Sequence, residues 1–283
     1  MNKTKYYIQN GVLQEFDNAS ISVLNRSFRY GDGLFETIRL IDGFPIFLDD
    51  HILRLHKSMK LLKYHSVELL NFEVVKRLIN NLIASNNSSG NARIRLQVFR
   101  NEGGLFLPTD NSYTYIIELE DIDFEPCVLN EKGLSIDIYT ESFLAKSIIQ
   151  SKTSSSLIYI LASLYRKEMG VDDILILNSD YKIVEANSSN VFCVKDKVIY
   201  TPHLSSGCID GVFRKNLIES INQSGEYQIE EAELSIDFAK SADELFITNV
   251  VRGIQWVEQF QNKSFVNVEI QRINEIFRNF IML

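Results

Sequence analysis

The stretch QSKTSSSLIYILASL, residues 150–164, sets a single lysine ahead of four small hydroxyl residues and then an apolar run. Leu157, Ile160, Leu161 and Leu164 recur at helical spacing, which predicts a helix from about 154 to 169, closed by Gly170, with one buried apolar face. Lys152 stands near the start of that helix, where partial loss of water pushes an ammonium toward its neutral form. A neutral amine is what Schiff-base formation or proton abstraction near neutral pH requires. By local context alone Lys152 also reads as an ordinary surface lysine, and Lys146 is equally eligible for the chemistry.

Around this stretch lie 283 residues, 45% of them apolar, enough for two domains with their own cores. A net charge of −8 argues against nucleic acid or an anionic membrane surface as the main partner, because both reward a basic face. Cys127, Cys193 and Cys208 are odd in number and widely spaced, which points to neither a disulfide framework nor a zinc site, and fits a reduced, cytoplasmic setting. The start, MNKTKYYIQNG, has no apolar signal core, and no apolar run approaches the ~20 residues of a membrane span.

Residues 5–48 alternate apolar and polar positions through YYIQNGVL, ISVLNRSF and LFETIRLIDGFPIFL, with hairpin turns expected at Asn10-Gly11 and Asp42-Gly43. Asp49 and Asp50 begin a helix whose apolar stripe is read as Leu53, Met59, Leu61 and Leu62, and a second helix spans about 70–85. ARIRLQVFR and SYTYIIELE follow as strands. The acidic stretch 121–133 interrupts them and is read as the linker between an α+β domain at 1–120 and a second domain at 134–283. That second domain reads as strands LSIDIYT, DILILN, VFCV, VIY and ELFITNV with helices over 154–169, at DGVFRKNLIESI and from about 266.

Several residues could carry chemistry. Glu185 ends an apolar strand and is followed by Asn187, Ser188, Ser189 and Asn190, a setting that holds a carboxylate ionised, or else a solvated turn. Gly207 and Gly211 frame a turn into a helix, whose free backbone N–H groups favour a phosphate. Arg54 could add a cation to it. Arg93 and Arg95 share one face of a strand, either to grip a carboxylate or to keep an edge strand soluble.

Taken in order, FRYGDGLFETIRL (28–40), HILRL (51–55), Lys152, EANSSNVF (185–192), TPHLSSGCIDGVFR (201–214) and DELFITN (243–249) resemble the class IV, or fold-type IV, pyridoxal-phosphate enzymes. That group holds branched-chain aminotransferases, D-amino-acid aminotransferases and 4-amino-4-deoxychorismate lyase. The 33 positions from Lys152 to Glu185 match the family's interval, and those from Lys146 do not. The resemblance implies a two-domain α+β, α/β fold with pyridoxal 5′-phosphate between the domains, and a homodimer whose partner reaches each site. It assigns Lys152 to the Schiff base and the proton shuttle, and Glu185 to the pyridine nitrogen. Arg54, the backbone N–H groups of Val212 and Phe213, and Asn249 fall to the phosphate, and Tyr30, Arg95 and Thr37 to the substrate.

The pattern is broken in places. Leu157 stands where branched-chain enzymes often carry tyrosine, and Phe213 where threonine is usual. Leu105 and Leu107 occupy the positions of the arginine and histidine that trap a carboxylate in D-amino-acid enzymes, and Leu105 also replaces an arginine of the lyase. Asn249 and RNEGG (100–104) are lyase-like. The expectation is a transaminase acting on a small, branched-chain-like amino acid and a 2-oxo acid, with 4-amino-4-deoxychorismate lyase as the alternative.

Overall fold

A computed structural model describes residues 4–144 and 150–281. The described chain forms two compact units: residues up to Phe124 together with Ser151–Ser155, and the rest. The first unit ends inside the acidic stretch 121–133 and takes back five residues around Lys152.

In the first unit β1 (Tyr6–Gln9), β2 (Val12–Glu15), β3 (Gly33–Ile41), β4 (Phe44–Pro45), β5 (Ala92–Arg100) and β6 (Tyr113–Asp121) make one sheet, ordered β2-β1-β6-β5-β3-β4 and antiparallel throughout. Both expected hairpin turns form, with Asn10 and Gly11 at φ 48° and 81° and Asp42 and Gly43 at 51° and 82°, the left-handed pairs that match the twist of the strands. The helices are α1 (Arg26–Tyr30), α2 (Leu48–Leu61) and α3 (Phe72–Asn86). Strand alternation turns Leu34, Ile38 and Leu40 of β3 and Ile94, Leu96 and Val98 of β5 toward α2 and α3, where they meet Leu48, Ile52, Leu55, Met59, Val75, Ile79 and Leu82 in one core.

Two readings of this unit are corrected. ISVLNRSF is no strand: Ile21, Val23 and Leu24 are exposed, and Arg26 opens α1 behind an Asn25 cap that accepts the Phe28 N–H. On α2 the buried face is Leu48, Ile52, Leu55 and Met59, while Leu53 and Leu61 are exposed. Its seam also carries His51, Arg54 and Ser58, whose polarity disguised it as the outer face.

The second unit holds β7 (Leu134–Leu144), α4 (Leu157–Met169), β8 (Asp173–Asn178), β9 (Lys182–Ala186), β10 (Asn190–Lys195), β11 (Val198–Pro202), α5 (Val212–Ser224) and β12 (Gln228–Ala232). It continues with β13 (Leu234–Ser235), α6 (Ile236–Ser241), β14 (Glu244–Asn249), β15 (Gly253–Phe260), β16 (Lys263–Ser264) and α7 (Val268–Ile281). Its sheet runs β12-β11-β10-β14-β15-β7-β8-β9-β13 with β16 beside β15, and the pairs β11–β12, β15–β7 and β7–β8 are parallel. Among the described residues no helix is long and apolar enough to cross a membrane.

The expected buried face of α4 is also overturned. Leu157, Ile160, Leu161 and Leu164 are 40–65% exposed, whereas Ala162 is buried and packs with Ile158, Tyr159 and Tyr165 against Tyr139, Ile174 and Ile176. Aromatic side chains flanking a small alanine let the helix lie close on β7 and β8, and the leucine stripe faces away from that contact.

The short segment around Lys152 is fixed by β3. The Phe35 N–H donates to the Lys152 carbonyl at 2.9 Å, the Ser154 N–H donates to the Gly33 carbonyl at 2.9 Å, and Leu34 bridges Thr153. Gln97 Nε2 donates to Ser154 Oγ at 2.7 Å, and Ser58 pairs with Ser151. A Cβ on Gly33 would lie 2.6 Å from Ser154 Oγ and 2.9 Å from both Ser27 Oγ and the Val98 carbonyl oxygen. Gly33→Ala is therefore expected to lower the unfolding free energy by about 1–3 kcal/mol, the usual cost of overpacking, and urea denaturation measures it. An unchanged midpoint would show that the segment can shift freely.

Candidate active site

In the first unit the Lys152 amine approaches the face that the neighbouring strands β3 and β5 share. Its Nζ lies 5.3 Å from the centre of the Phe35 ring, and the Arg95 guanidinium lies 3.9 Å from the same ring. Thr37 is the cross-strand partner of Arg95, and Phe35 that of Gln97, so all four share one face of β3 and β5. Arg95 also donates to Gln97 Oε1 at 2.7 Å. Arg93, on the same face, turns instead to an exposed pair with Glu120, so the two arginines do not converge. Tyr30 ends α1 at the left-handed Gly31, with its ring 5.7 Å from that of Phe106 and the Arg26 guanidinium 5.1 Å above it.

The opposite face of β3 carries Glu36 among apolar neighbours. Strand alternation buries this carboxylate to 2% exposure, so it must be paired. Arg54 Nε donates to Oε1 at 2.8 Å, a second guanidinium nitrogen donates to Oε2, and His51 Nδ1 lies 2.7 Å from Oε2. Burial alone would push the Glu36 carboxyl up, but the Arg54 charge and the bonds from His51 and Arg54 outweigh it and hold it at about 2. Burial holds His51 below its ordinary value despite Glu36, with Arg54 and Lys152 acting in the same direction as burial. Facing an ionised carboxylate, the neutral imidazole carries its hydrogen on Nδ1. Arg54 is thus oriented by Glu36, a residue not singled out in the sequence although it lies inside FRYGDGLFETIRL.

In the second unit Glu185, also 2% exposed, is the next-to-last residue of β9. Tyr159 Oη donates to its Oε1 at 2.6 Å and the Ile209 N–H donates to its Oε2 at 2.9 Å. Val212 and Phe213 open α5 behind Gly211, where no side chain caps the helix. A Cβ on Gly211 would lie 2.0 Å from Asn190 Oδ1. Phe213 sends its ring to Phe277, 4.4 Å between centres, so its contribution to the helix start is its backbone N–H. Asn249 accepts from the Val251 and Arg252 N–H groups and donates to Ser189 Oγ at 3.0 Å, shaping the loop after β14. Lys146 lies outside the described residues.

Residues 33–260 match the family described as amino-transferase class IV. This chain belongs to that family. Among its relatives, the aminodeoxychorismate lyase of Bacillus subtilis is 30% identical over 251 residues, covering 87% of this chain and 83% of the relative. A putative branched-chain-amino-acid aminotransferase of Methanocaldococcus jannaschii is 29% identical, covering 96% and 93%. The solved branched-chain aminotransferase of Thermobaculum terrenum in its pyridoxal-phosphate form shares the fold at a TM-score of 0.87 and 18% identity, covering 99% of this chain and 95% of the other.

This class IV aminotransferase is accordingly a pyridoxal-phosphate enzyme, and its residues fit that cofactor. It has a lysine amine, a buried carboxylate suited to a pyridinium, and an uncapped helix start suited to a phosphate. Beside residues assigned to the cofactor, His51 Nε2, one turn before Arg54, and Thr248 Oγ1, next to Asn249, are buried without a hydrogen-bond partner among the described residues.

The Glu36 pairing has a measurable pH signature. Its folded value of about 2 lies below the ordinary 4.5, so its stabilisation is present above about 4.5 and is lost as pH falls toward 2. The Glu36→Gln variant is expected to be less stable at neutral pH by roughly 3–5 kcal/mol, because Arg54 keeps its charge without its partner. It should also show a flatter loss of stability between those pH values, measured by denaturation at stepped pH. Equal slopes for both proteins would refute the pairing.

Proposed function

We propose that this enzyme transfers the amino group of a small, branched-chain-like amino acid to a 2-oxo acid, and that Lys152, Glu185, Arg54, Val212, Phe213 and Asn249 serve its cofactor. The observation that carries the substrate reading is the face around Phe35. The Arg95 guanidinium and the Lys152 amine both approach the Phe35 ring, with Thr37 and Gln97 on the same strand face, and a guanidinium so placed suits one substrate carboxylate. Aminodeoxychorismate carries two carboxylates. Leu105 and Leu107, both exposed, add no second cation.

When bound, pyridoxal phosphate supplies an aldehyde carbon for the amine and a ring that accepts an electron pair. Lys152 Nζ would hold that carbon at rest and, once the substrate amine has displaced it, the freed neutral amine would take the proton from the substrate α-carbon. Glu185 keeps a proton on the ring nitrogen. Arg54 and the N–H groups of Val212 and Phe213 bind the phosphate, with Glu36 fixing the guanidinium and Asn249 shaping the neighbouring loop. Arg95, Thr37 and Tyr30 bind and orient the substrate.

The lyase reading is favoured by the 30% identity to the Bacillus subtilis enzyme and stands second. One pair of assays separates the two. Glutamate formed from L-leucine and 2-oxoglutarate supports the transaminase, and pyruvate with 4-aminobenzoate from 4-amino-4-deoxychorismate overturns it. Lys152→Ala is expected to be colourless and to lose at least roughly 100-fold in turnover, as removal of a proton-transferring group does. A yellow, fully active variant would remove Lys152 from its role.

The partner we propose is a second copy of this chain. The apolar stripe Leu157, Ile160, Leu161 and Leu164 supports a homodimer, since such a face on a lone helix is costly in water. Leu161→Glu is expected to sediment as a monomer or in a weakened dimer equilibrium in analytical ultracentrifugation. A wild-type protein that sediments as a monomer would overturn the assembly. Three buried thiols, Cys127, Cys193 and Cys208, support a cytoplasmic home.

A further inference from the structure

The seventh residue after Lys152 is the tyrosine whose hydroxyl reaches the glutamate assigned to the cofactor's ring. We propose that Tyr159 is a positioning residue for the reaction, acting through Glu185: its hydrogen bond keeps that carboxylate ionised, so that the shared proton stays on the ring nitrogen of bound pyridoxal phosphate. This inference rests on the assignment of Glu185 to that nitrogen.

The geometry is that of a carboxylate held by a donor on each oxygen, Tyr159 Oη on Oε1 at 2.6 Å and the Ile209 N–H on Oε2 at 2.9 Å. Both partners are themselves fixed. Ile209 offers its carbonyl to the Gly211 N–H at 2.8 Å and to Asn190 Nδ2 at 3.0 Å, so its N–H has a defined aim. Tyr159 packs into the cluster of Tyr139, Ala162, Ile174 and Ile176 that seats α4 on β7 and β8. A carboxylate accepting two hydrogen bonds is a weaker base than one accepting a single bond. A proton placed between it and a pyridine nitrogen therefore resides more on the nitrogen, which makes the ring the stronger electron sink.

The surroundings are consistent with a phenol that only donates. Burial, and then the Glu185 charge, push Tyr159 far above its ordinary range, so it stays protonated at every working pH. Cys208 is close by, and burial pushes its thiol up to about 12, so it adds no charge. Asp210 and Arg214 bear on the same cluster with opposite signs. The hydrogen bonds that Glu185 accepts from Tyr159 and Ile209 both favour its ionised form.

The test reads the ring nitrogen directly, with 15N-labelled pyridoxal phosphate bound to the intact enzyme. Four proteins are compared: wild type, Tyr159→Phe, Glu185→Gln, and the enzyme with 3-fluorotyrosine at position 159. The last is nearly isosteric with tyrosine, and its more acidic phenol donates more strongly. The expected result is a resonance moved toward the unprotonated pyridine in Tyr159→Phe and held or moved the other way by fluorotyrosine. Alongside it, the half-reaction with amino acid alone should slow at least about tenfold, the size of one hydrogen bond to a charged group, with KM little changed. If neither change at 159 moves the resonance while Glu185→Gln does, the role of Tyr159 is overturned and that of Glu185 stands. If Glu185→Gln leaves it unmoved, the assignment of Glu185 falls, and the inference with it.

Discussion

Lys152 has no regular element of its own to hold it, and its place depends on two backbone hydrogen bonds to β3, at Phe35 and at the Gly33 carbonyl. Both bonds require the segment to lie flat against the strand, and that approach is open only because residue 33 has no side chain. The consequences spread along β3. Phe35 and Thr37 look out on the side where the Lys152 amine and Arg95 meet the Phe35 ring, while Leu34, Glu36 and Ile38 look into the helices. One strand therefore carries the substrate-facing candidates on one side and the carboxylate that orients Arg54 on the other.

That second side shows how a charged group is kept in an apolar core. Glu36 would be costly alone, and Arg54 would be costly alone; together with His51 they form a cluster with the negative charge matched and the imidazole neutral. Glu185 solves the same problem differently, with neutral donors from a tyrosine and a backbone N–H. The choice of donor matters chemically. A paired cation pins the Glu36 carboxylate, whereas the donors on Glu185 hold a carboxylate in place without adding charge of their own.

Much of this was legible in the sequence because the informative signals are local. The Asn10-Gly11 and Asp42-Gly43 turns, the alternation of β3 and β5, and the glycine before α5 each follow from a few adjacent residues. The motif order led to the family, and the family match over residues 33–260 bears that out. What misled were patterns whose meaning depends on distant partners. The leucines of α4 have the period of a buried face, but the aromatic side chains beside Ala162 are what pack on the sheet. On α2 the buried seam was hidden because three of its members are polar and find their partners on β3 or beside Lys152. Tyr159 was passed over for a related reason. Leu157, five places after the lysine, stands at the family's variable position, yet the phenol two places further on is the polar group that the apolar helix presents to Glu185.

The return of Ser151–Ser155 to the first unit has a bearing on how the chain is made. A ribosome delivers the six-stranded sheet well before it delivers residue 155, so the Gly33 carbonyl and the Phe35 N–H emerge without the partners they hold in the finished protein. The first unit therefore matures in two stages: a helix-covered sheet early, and a completed β3 edge only after part of the second unit has been synthesised. Its two segments are not separable gene fragments, because a chain ending at Phe124 would lack Ser151–Ser155 and, with them, Lys152.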